Sequence, residues 1–186
     1  DVTRQKDYRR ALNIGCLYQN PLRGTAPSMT IEENLALAYT RKASRSFFAV
    51  NHRDNAYFRD LLATLGMGLE DRMKTKMGLL SGGQRQAASL LMATVAQPKL
   101  LLLDEHTAAL DPGAAEKVME ITGEIVVRDK ITTLMITHDM DYALSMGSRT
   151  IMLDSGKIVL DLSGTDWQAM TAGALAERFY TRSKKR

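Results

Sequence analysis

The sequence from residue 80 to residue 105 reads LSGGQRQAASLLMATVAQPKLLLLDE. Its middle predicts a helix over residues 83–97, because apolar side chains recur on one stripe and Pro98 ends the pattern. Residues 100–104 follow as a strand without alternation, which is typical of a parallel strand covered on both faces. A helix that leads into such a strand indicates an α/β fold with a parallel sheet.

The regions on both sides continue this alternation of strands and helices. A short apolar run at residues 13–18 predicts a buried strand. Helical spacing then extends from residue 30 to about residue 69, with Ser28 and Thr30 as candidate caps. The predicted elements downstream are a helix that begins at Asp111-Pro112, a strand at 131–137, a short helix, strands at 150–154 and 157–161, and a final helix around 167–180.

These elements predict a parallel α/β sheet interrupted by a helical lobe. We place the lobe at residues 20–96 and the core of the fold at residues 1–19 and 97–186. Gln19, Asp104 with Glu105, and His138 each follow a predicted strand. Because ligands bind beyond the carboxyl ends of the strands in open α/β sheets, we expect these side chains to form a site.

Length and composition restrict the class of protein. The chain has 186 residues, enough for one domain with or without an inserted lobe, and its 45% hydrophobic and 25% charged residues are typical of a globular protein. The longest aliphatic run is far shorter than the roughly 18 residues that a membrane-spanning helix needs. Cys16 is the only cysteine, so an intrachain disulfide is excluded, and a reducing compartment fits.

The net charge is +4, and the basic clusters of the chain have two possible interpretations. Basic clusters are usually solvated faces and occasionally footprints of nucleic acid or membrane surfaces. The clusters are Arg41, Lys42, Arg45 and Arg53, and the C-terminal Lys184, Lys185 and Arg186.

The aromatic residues are assigned to the core of the helical lobe rather than to a platform that stacks on bases. They are Phe47, Phe48, Tyr57 and Phe58.

The start of the stretch quoted above has two possible roles. Ser81 offers a hydroxyl, and Gly82 and Gly83 let backbone N–H groups approach a ligand at the positive end of a helix dipole, which suits a phosphate. The alternative is a helix N-cap followed by a glycine turn. The complete five-residue sequence at 80–84 is expected by chance in about one chain of this size in several thousand, which favours the phosphate interpretation.

Residues 80–84 resemble the signature motif of ATP-binding-cassette ATPases. Other motifs of that family follow in the same order: residues 100–105 resemble its Walker B strand, residues 109–112 its D-loop, Gln19 its Q-loop glutamine and His138 its switch histidine. The resemblance covers essentially the whole chain. It implies a P-loop NTPase-like, RecA-like sheet with an inserted helical subdomain, so that residues 1–186 form part of a nucleotide-binding domain. The chain looks most like ATPase subunits of bacterial importers with undefined cargo, with His106 where many members have proline.

The resemblance also implies roles for single residues. Asp104 would hold Mg²⁺ through water and Glu105 would act as general base, a division of labour that phosphoryl transfer needs. Gln19 would bind Mg²⁺ or the attacking water, and His138 would position that water at the γ-phosphate. The residues that would bind nucleotide held by a partner subunit are Ser81, Gly82, Gly83, Gln84 and Asp111.

Most of these residues have a structural alternative. An Asp-Glu pair at a strand end is often a helix cap or a solvated pair, and a lone histidine such as His138 is most often a hydrogen-bonded structural residue. Asp111 before Pro112 is also a good N-cap, and both of its roles can coexist.

The phosphate loop of the family, G-x-x-x-x-G-K-[ST], does not occur in these 186 residues. The only Gly-Lys pair is Gly156-Lys157, and Ile158 follows it inside a predicted hairpin. Because the chain opens with Asp1 inside a family-like segment, we expect an incomplete version of a longer ATPase that is inactive by itself. The alternative is a chain that begins near Asp1 and serves as a non-hydrolytic module.

The function that the resemblance implies is an ATP-hydrolysing subunit that uses Mg²⁺ and powers solute transport as a head-to-tail homodimer. Its expected partners are transmembrane permease subunits and a solute-binding protein, with no nucleic acid. The expected location is the cytoplasm, on the inner face of the cell membrane. An ATPase of the family that acts on DNA or ribosomes is a further alternative, but the sequence shows no long coiled-coil insertion and no second cassette.

Overall fold

The computed structural model of the chain describes residues 1–41 and 52–183. Residues Lys42, Arg45, Phe47 and Phe48 and the basic end at 184–186 lie outside this part, so the interpretations of both basic clusters stay predictions. Among the described residues, no helix is long and apolar enough to cross a membrane. The chain divides into two compact units, Asp1–Ile136 and Thr137–Arg186. The division into a lobe at 20–96 and a surrounding core stays a prediction.

The first unit alternates helices and strands as the sequence predicts. Its elements are α1 (Asp7–Arg10), β1 (Ile14–Leu17), α2 (Ile31–Thr40), α3 (His52–Ala63), α4 (Gly82–Thr94), β2 (Leu100–Asp104), α5 (Pro112–Arg128) and β3 (Thr132–Ile136). The three strands form one parallel sheet in the order β1-β2-β3. The predicted parallel α/β architecture is therefore confirmed.

The two faces of this sheet are covered differently. Gly15, Leu101 and Leu103 are buried on the face that packs against α4. On the other face Leu102 is only half-buried, and Leu134 is 57% exposed. The prediction that β2 is covered on both faces is thus wrong for the described part of the chain, because adjacent side chains of a strand point to opposite faces and α4 covers one of them.

The helices of this unit pack around α4, the most buried of them. From Gln86 to Ala96 the chain is buried without interruption, so α4 lies inside the unit rather than at its surface. Thr30 begins α2 with a capping box, in which its hydroxyl accepts the Glu33 N–H at 3.3 Å and the Glu33 carboxylate accepts the Thr30 N–H at 2.7 Å. Phe58 is fully buried, as predicted, whereas Tyr57 is 39% exposed.

The second unit contains an antiparallel hairpin with helices around it. Its elements are α6 (Met140–Ser145), β4 (Arg149–Asp154), β5 (Lys157–Ser163), α7 (Gly164–Ala169) and α8 (Ala172–Ser183). Ser155 and Gly156 connect the strands with φ values of 51° and 75°, the left-handed backbone that a two-residue hairpin turn requires. The single predicted helix at 167–180 is two helices, because Met170 is extended and Thr171 caps α8 by accepting the Ala174 N–H at 3.2 Å.

Candidate functional site

Gln19 and Asp104 lie at the ends of two neighbouring parallel strands, at one edge of the sheet. The register pairs Leu17 with Leu103, so β1 ends one residue before β2, and it pairs Asp104 with Ile136 at the ends of β2 and β3. Gln19 lies just beyond β1, Asp104 is the last residue of β2, and both side chains are exposed. This carboxyl edge is where open α/β sheets bind ligands.

Glu105 is held in an unusual backbone conformation directly after β2. Its φ is +43°, in the left-handed region that costs a non-glycine residue about 1–3 kcal/mol. Two hydrogen bonds fix it: its N–H donates to the Ile136 carbonyl, and its carbonyl accepts the Ala108 N–H, both at 3.0 Å. The side chain is half-buried, next to the exposed Asp104. Two consecutive carboxylates therefore occupy different environments at the sheet edge.

The residues of the LSGGQ stretch form the beginning of α4. Ser81 is the N-cap, and its hydroxyl accepts the Gln84 N–H while the Gln84 side chain accepts the Ser81 N–H, each at 3.3 Å. Ser81 and Gly82 are exposed, so this helix end is open to a ligand. Capping and phosphate binding can therefore occur at the same place.

The two glycines of this stretch have a packing role that the sequence does not reveal. A Cβ on Gly83 would lie 2.9 Å from the Ala114 Cβ, and a Cβ on Gly82 would lie 3.2 Å from the Leu110 Cδ2. Small residues are needed here because α4 approaches the beginning of α5 closely. Asp111 caps α5, since its carboxylate accepts the Ala114 N–H at 3.0 Å. The Asp111 N-cap is confirmed, and its role toward a nucleotide stays a prediction.

Arg85 stabilises the turn in front of this helix. Its guanidinium donates to the carbonyls of Met77 at 3.2 Å, Gly78 at 3.1 Å and Leu80 at 2.7 Å. Sequence reasoning missed this role, because its three acceptors are backbone groups that any residue would supply. Arg85 thus fixes the backbone that leads into Ser81.

Gln86 connects α4 to the end of β1. Its side chain is fully buried, and its Nε2 donates to the Tyr18 carbonyl at 3.2 Å, immediately before Gln19. A polar residue on the same helix stripe as Leu90 was the available signal in the sequence. The signature helix and the residues around Gln19 are therefore joined by a direct hydrogen bond.

His106, which follows Glu105, is also buried. Only 2% of it is exposed, and its Nε2 lies 3.2 Å from the Thr122 Oγ1 on α5. Burial lowers the pKa of His106 to about 4, so the imidazole is neutral at pH 7. The sequence marks this histidine as a departure from the common proline, but it gives no indication of its partner.

His138 belongs to the second unit, Thr137–Arg186. It is exposed and lies in the segment that precedes α6. The Thr137 hydroxyl accepts the Asp139 N–H at 3.0 Å, and Asp139 caps α6. The structure thus places Gln19, Asp104 and Glu105 in one unit, and the proposed role of His138 stays a prediction.

The chemistry of the carboxyl edge fits a magnesium ion that phosphate oxygens help to hold. Within the described ranges, no group of three or more His, Cys, Asp or Glu side chains could hold a metal ion on its own. Mg²⁺ in nucleotide sites usually takes only one or two carboxylates from the protein and the remainder from phosphates and water. An exposed Asp104 is sufficient for that arrangement.

The substitution Ser81→Ala tests the capping role independently of ligand binding. We expect it to lower the free energy of unfolding by about 1 kcal/mol, because the Gln84 N–H loses its acceptor. Urea denaturation measures the change, and the exposed Ser148→Ala is the control, since Ser148 caps none of the described helices. An unchanged midpoint in Ser81→Ala would show that the capping box contributes nothing.

Comparison with known proteins identifies a matching family and several relatives of the chain. The sequence profile described as "ABC transporter" matches residues 1–108. The chain is 41% identical over 179 residues to the tyrosine transport ATP-binding protein of Clostridioides difficile (strain R20291), an alignment that covers 96% of this chain and 71% of that protein. It is 33% identical to the phosphonates import ATP-binding protein PhnC 2 of Nostoc sp. (strain PCC 7120), covering 84% and 64% of the two chains.

A third relative and a solved structure agree with these matches. The methionine import ATP-binding protein MetN 2 of Pseudomonas entomophila (strain L48) is 32% identical, with 86% of this chain and 44% of that protein aligned. The solved structure is the dimeric post-hydrolysis state of the ATP-binding cassette MJ0796 bound to ADP and Pi, with a TM-score of 0.70 and 26% identity. It covers 84% of this chain and 65% of that chain, so the predicted RecA-like P-loop fold is confirmed.

Proposed function

The chain belongs to the ABC transporter family, and from this premise we propose that the native protein is the ATP-hydrolysing subunit of a solute importer. The names of these three relatives refer to different cargoes, namely tyrosine, phosphonates and methionine. The chain spans 71%, 64% and 44% of their lengths, so the activity is proposed for the native protein and the cargo is left unassigned.

The observation that carries this proposal is the pair of carboxylates at the end of β2. Asp104 is exposed where a magnesium ion can reach it, while the backbone of Glu105 is fixed by two hydrogen bonds. Bound Mg²⁺ would neutralise phosphate oxygens of ATP. The Glu105 carboxylate would accept a proton from the attacking water, with Gln19 from the neighbouring strand end orienting that water or the ion.

The open beginning of α4 supports a role toward a second subunit. Backbone N–H groups and the positive end of the helix dipole at Ser81 and Gly82 would bind phosphates of ATP that the partner holds. Gly83, Gln84 and Asp111 would complete that surface, and His138 would contact the γ-phosphate. The two subunits would therefore face head to tail, with each ATP between them.

The proposed assembly places this subunit in the cytoplasm, on the inner face of the cell membrane. ATP binding would draw two copies together, and hydrolysis would release them. This cycle would switch the transmembrane permease subunits between two conformations that open to opposite sides of the membrane. A solute-binding protein would deliver the cargo. The phosphonates and methionine import proteins among the relatives support an importer rather than an ATPase that acts on DNA or ribosomes.

Mixing two inactive variants of the native protein tests the shared site. Ser81→Arg would block phosphate binding at α4, and Glu105→Gln would remove the base. In a mixed dimer one site receives both substitutions and the other receives neither, so equal mixing should restore about one quarter of the wild-type ATPase rate. Circular dichroism checks that both variants fold. A mixture no more active than the separate variants would contradict the head-to-tail arrangement.

A non-hydrolytic binding module is the second candidate. Such a module would offer the open beginning of α4, at Ser81 and Gly82, to a complete partner. ATP hydrolysis by the native protein, measured together with its intact mass, separates the two candidates. Turnover that depends on Glu105 supports the enzyme, and a native protein near 20.6 kDa that binds a complete partner without turnover supports the module.

A further inference from the structure

The hydrogen bond between His106 and Thr122 has a defined direction. The Thr122 hydroxyl donates its only proton to the Val118 carbonyl, at 2.7 Å along the same helix. The Thr122 oxygen must therefore accept from the His106 Nε2, which lies 3.2 Å away. Both side chains are 2% exposed, so water does not replace either partner. This assigns the imidazole to the tautomer that carries its proton on Nε2.

This bond holds His106, the residue after Glu105, against α5 rather than against the sheet. The Glu105 N–H is bound to the Ile136 carbonyl on β3, while the next residue, His106, is tied to Thr122 in the middle of α5. The left-handed φ of +43° lies between these two anchors. A strained conformation persists only where its surroundings over-determine it, and the buried imidazole adds a constraint to the two hydrogen bonds of the Glu105 N–H and carbonyl.

We propose that His106 is a positioning residue, whose Nε2–H bond to Thr122 holds the Glu105 carboxylate at the carboxyl edge of the sheet. The inference rests on the proposed function, because it assumes that Glu105 is the general base.

Near-isosteric substitutions of both partners in the native protein test this proposal. Thr122→Val and His106→Leu remove the bond, and we expect each to lower kcat by about 10- to 100-fold while KM for ATP changes less than about twofold. His106→Gln can place an amide N–H toward the Thr122 oxygen, and it should recover most of the lost kcat. Wild-type kcat in Thr122→Val and His106→Leu, or no recovery in His106→Gln, would overturn the proposal.

Thr94→Val is the matched control for the loss of a buried hydroxyl. Thr94 is 3% exposed and donates to the Leu90 carbonyl at 2.8 Å, the same bond one helical turn back that Thr122 makes to Val118. No histidine donates to Thr94 among its recorded hydrogen bonds. We expect Thr94→Val to keep the wild-type kcat. A loss of kcat equal to that of Thr122→Val would mean that any helix defect has this effect, which overturns the proposal.

A second measurement tests the direction of the hydrogen bond between His106 and Thr122 without ATP turnover. In ¹⁵N NMR spectra of the native protein, His106 should show a protonated Nε2 and an unprotonated Nδ1, and Thr122→Val should disturb this pattern. The opposite tautomer would overturn the proposal even if Glu105 is the base. If Glu105→Gln leaves hydrolysis unchanged while the Nε2 tautomer is found, the proposed function fails and the positioning role falls with it.

Discussion

Replacing Glu105 by glutamine in the native protein is expected to lower kcat for ATP hydrolysis by about 10²- to 10⁴-fold. Glutamine keeps the size of the side chain and can still accept a hydrogen bond, but it cannot take a proton from the attacking water. The strained backbone at φ +43° stays the same, because the substitution does not alter the hydrogen bonds of the Glu105 N–H and carbonyl. ATP binding should therefore persist while turnover is lost.

Steady-state ATPase assays, combined with a binding assay for ATP, separate these two effects. Glu116→Gln is the matched control, since Glu116 is an exposed glutamate on α5 that belongs to none of the family motifs. It should retain the wild-type rate. A Glu105→Gln variant that hydrolyses ATP as fast as the wild type would show that the base is a different residue. Loss of ATP binding together with turnover would instead indicate a structural role.

The substitution Gly15→Ala is expected to destabilise the first unit by about 3 kcal/mol or more. A Cβ at this position would lie 2.6 Å from the carbonyl oxygen of Ala93 and 3.1 Å from the Leu101 Cδ1. The carbonyl belongs to the backbone at the end of α4, so it cannot move aside as a flexible side chain could. The whole helix would have to shift away from β1.

This close approach connects stability to the proposed site. β1 leads to Gln19 and α4 begins at Ser81, so the packing at Gly15 determines how the signature helix lies against that strand. Urea denaturation should show a lower midpoint for Gly15→Ala at an unchanged slope. The control is Gly173→Ala on α8, where a Cβ meets nothing within 4 Å and a helical alanine gains up to about 1 kcal/mol. Equal stability of Gly15→Ala and the wild type would contradict the predicted clash.

The sequence was informative where local chemistry decides the outcome. Hydrophobic spacing predicted the buried α4, the apolar run predicted β2, and Asp111-Pro112 predicted the start of α5. These features depend on neighbours along the chain, namely side-chain periodicity, caps and the missing N–H of proline. The LSGGQ stretch pointed to the family because so few sequences satisfy all of its positions by chance.

Two predictions failed, one at a break in a helix and one at the covering of a strand. The single helix predicted at 167–180 is broken after α7, because Met170 is extended and Thr171 begins a new cap. The covering of β2 on both faces was wrong because strand periodicity reports an apolar run but not which faces other elements cover.

The sequence by itself determined the fold class and the order of the motifs, and it supplied the candidate residues for phosphoryl transfer, since these are encoded in short stretches of the chain. The tertiary structure decided which residues support them. The hydrogen bond of Glu105 to Ile136, the contact of Gly83 with Ala114 and the bond from His106 to Thr122 each join segments that are separate in sequence. Such contacts form only when strands and helices pack, because a close approach or a buried hydrogen bond requires both partners in place.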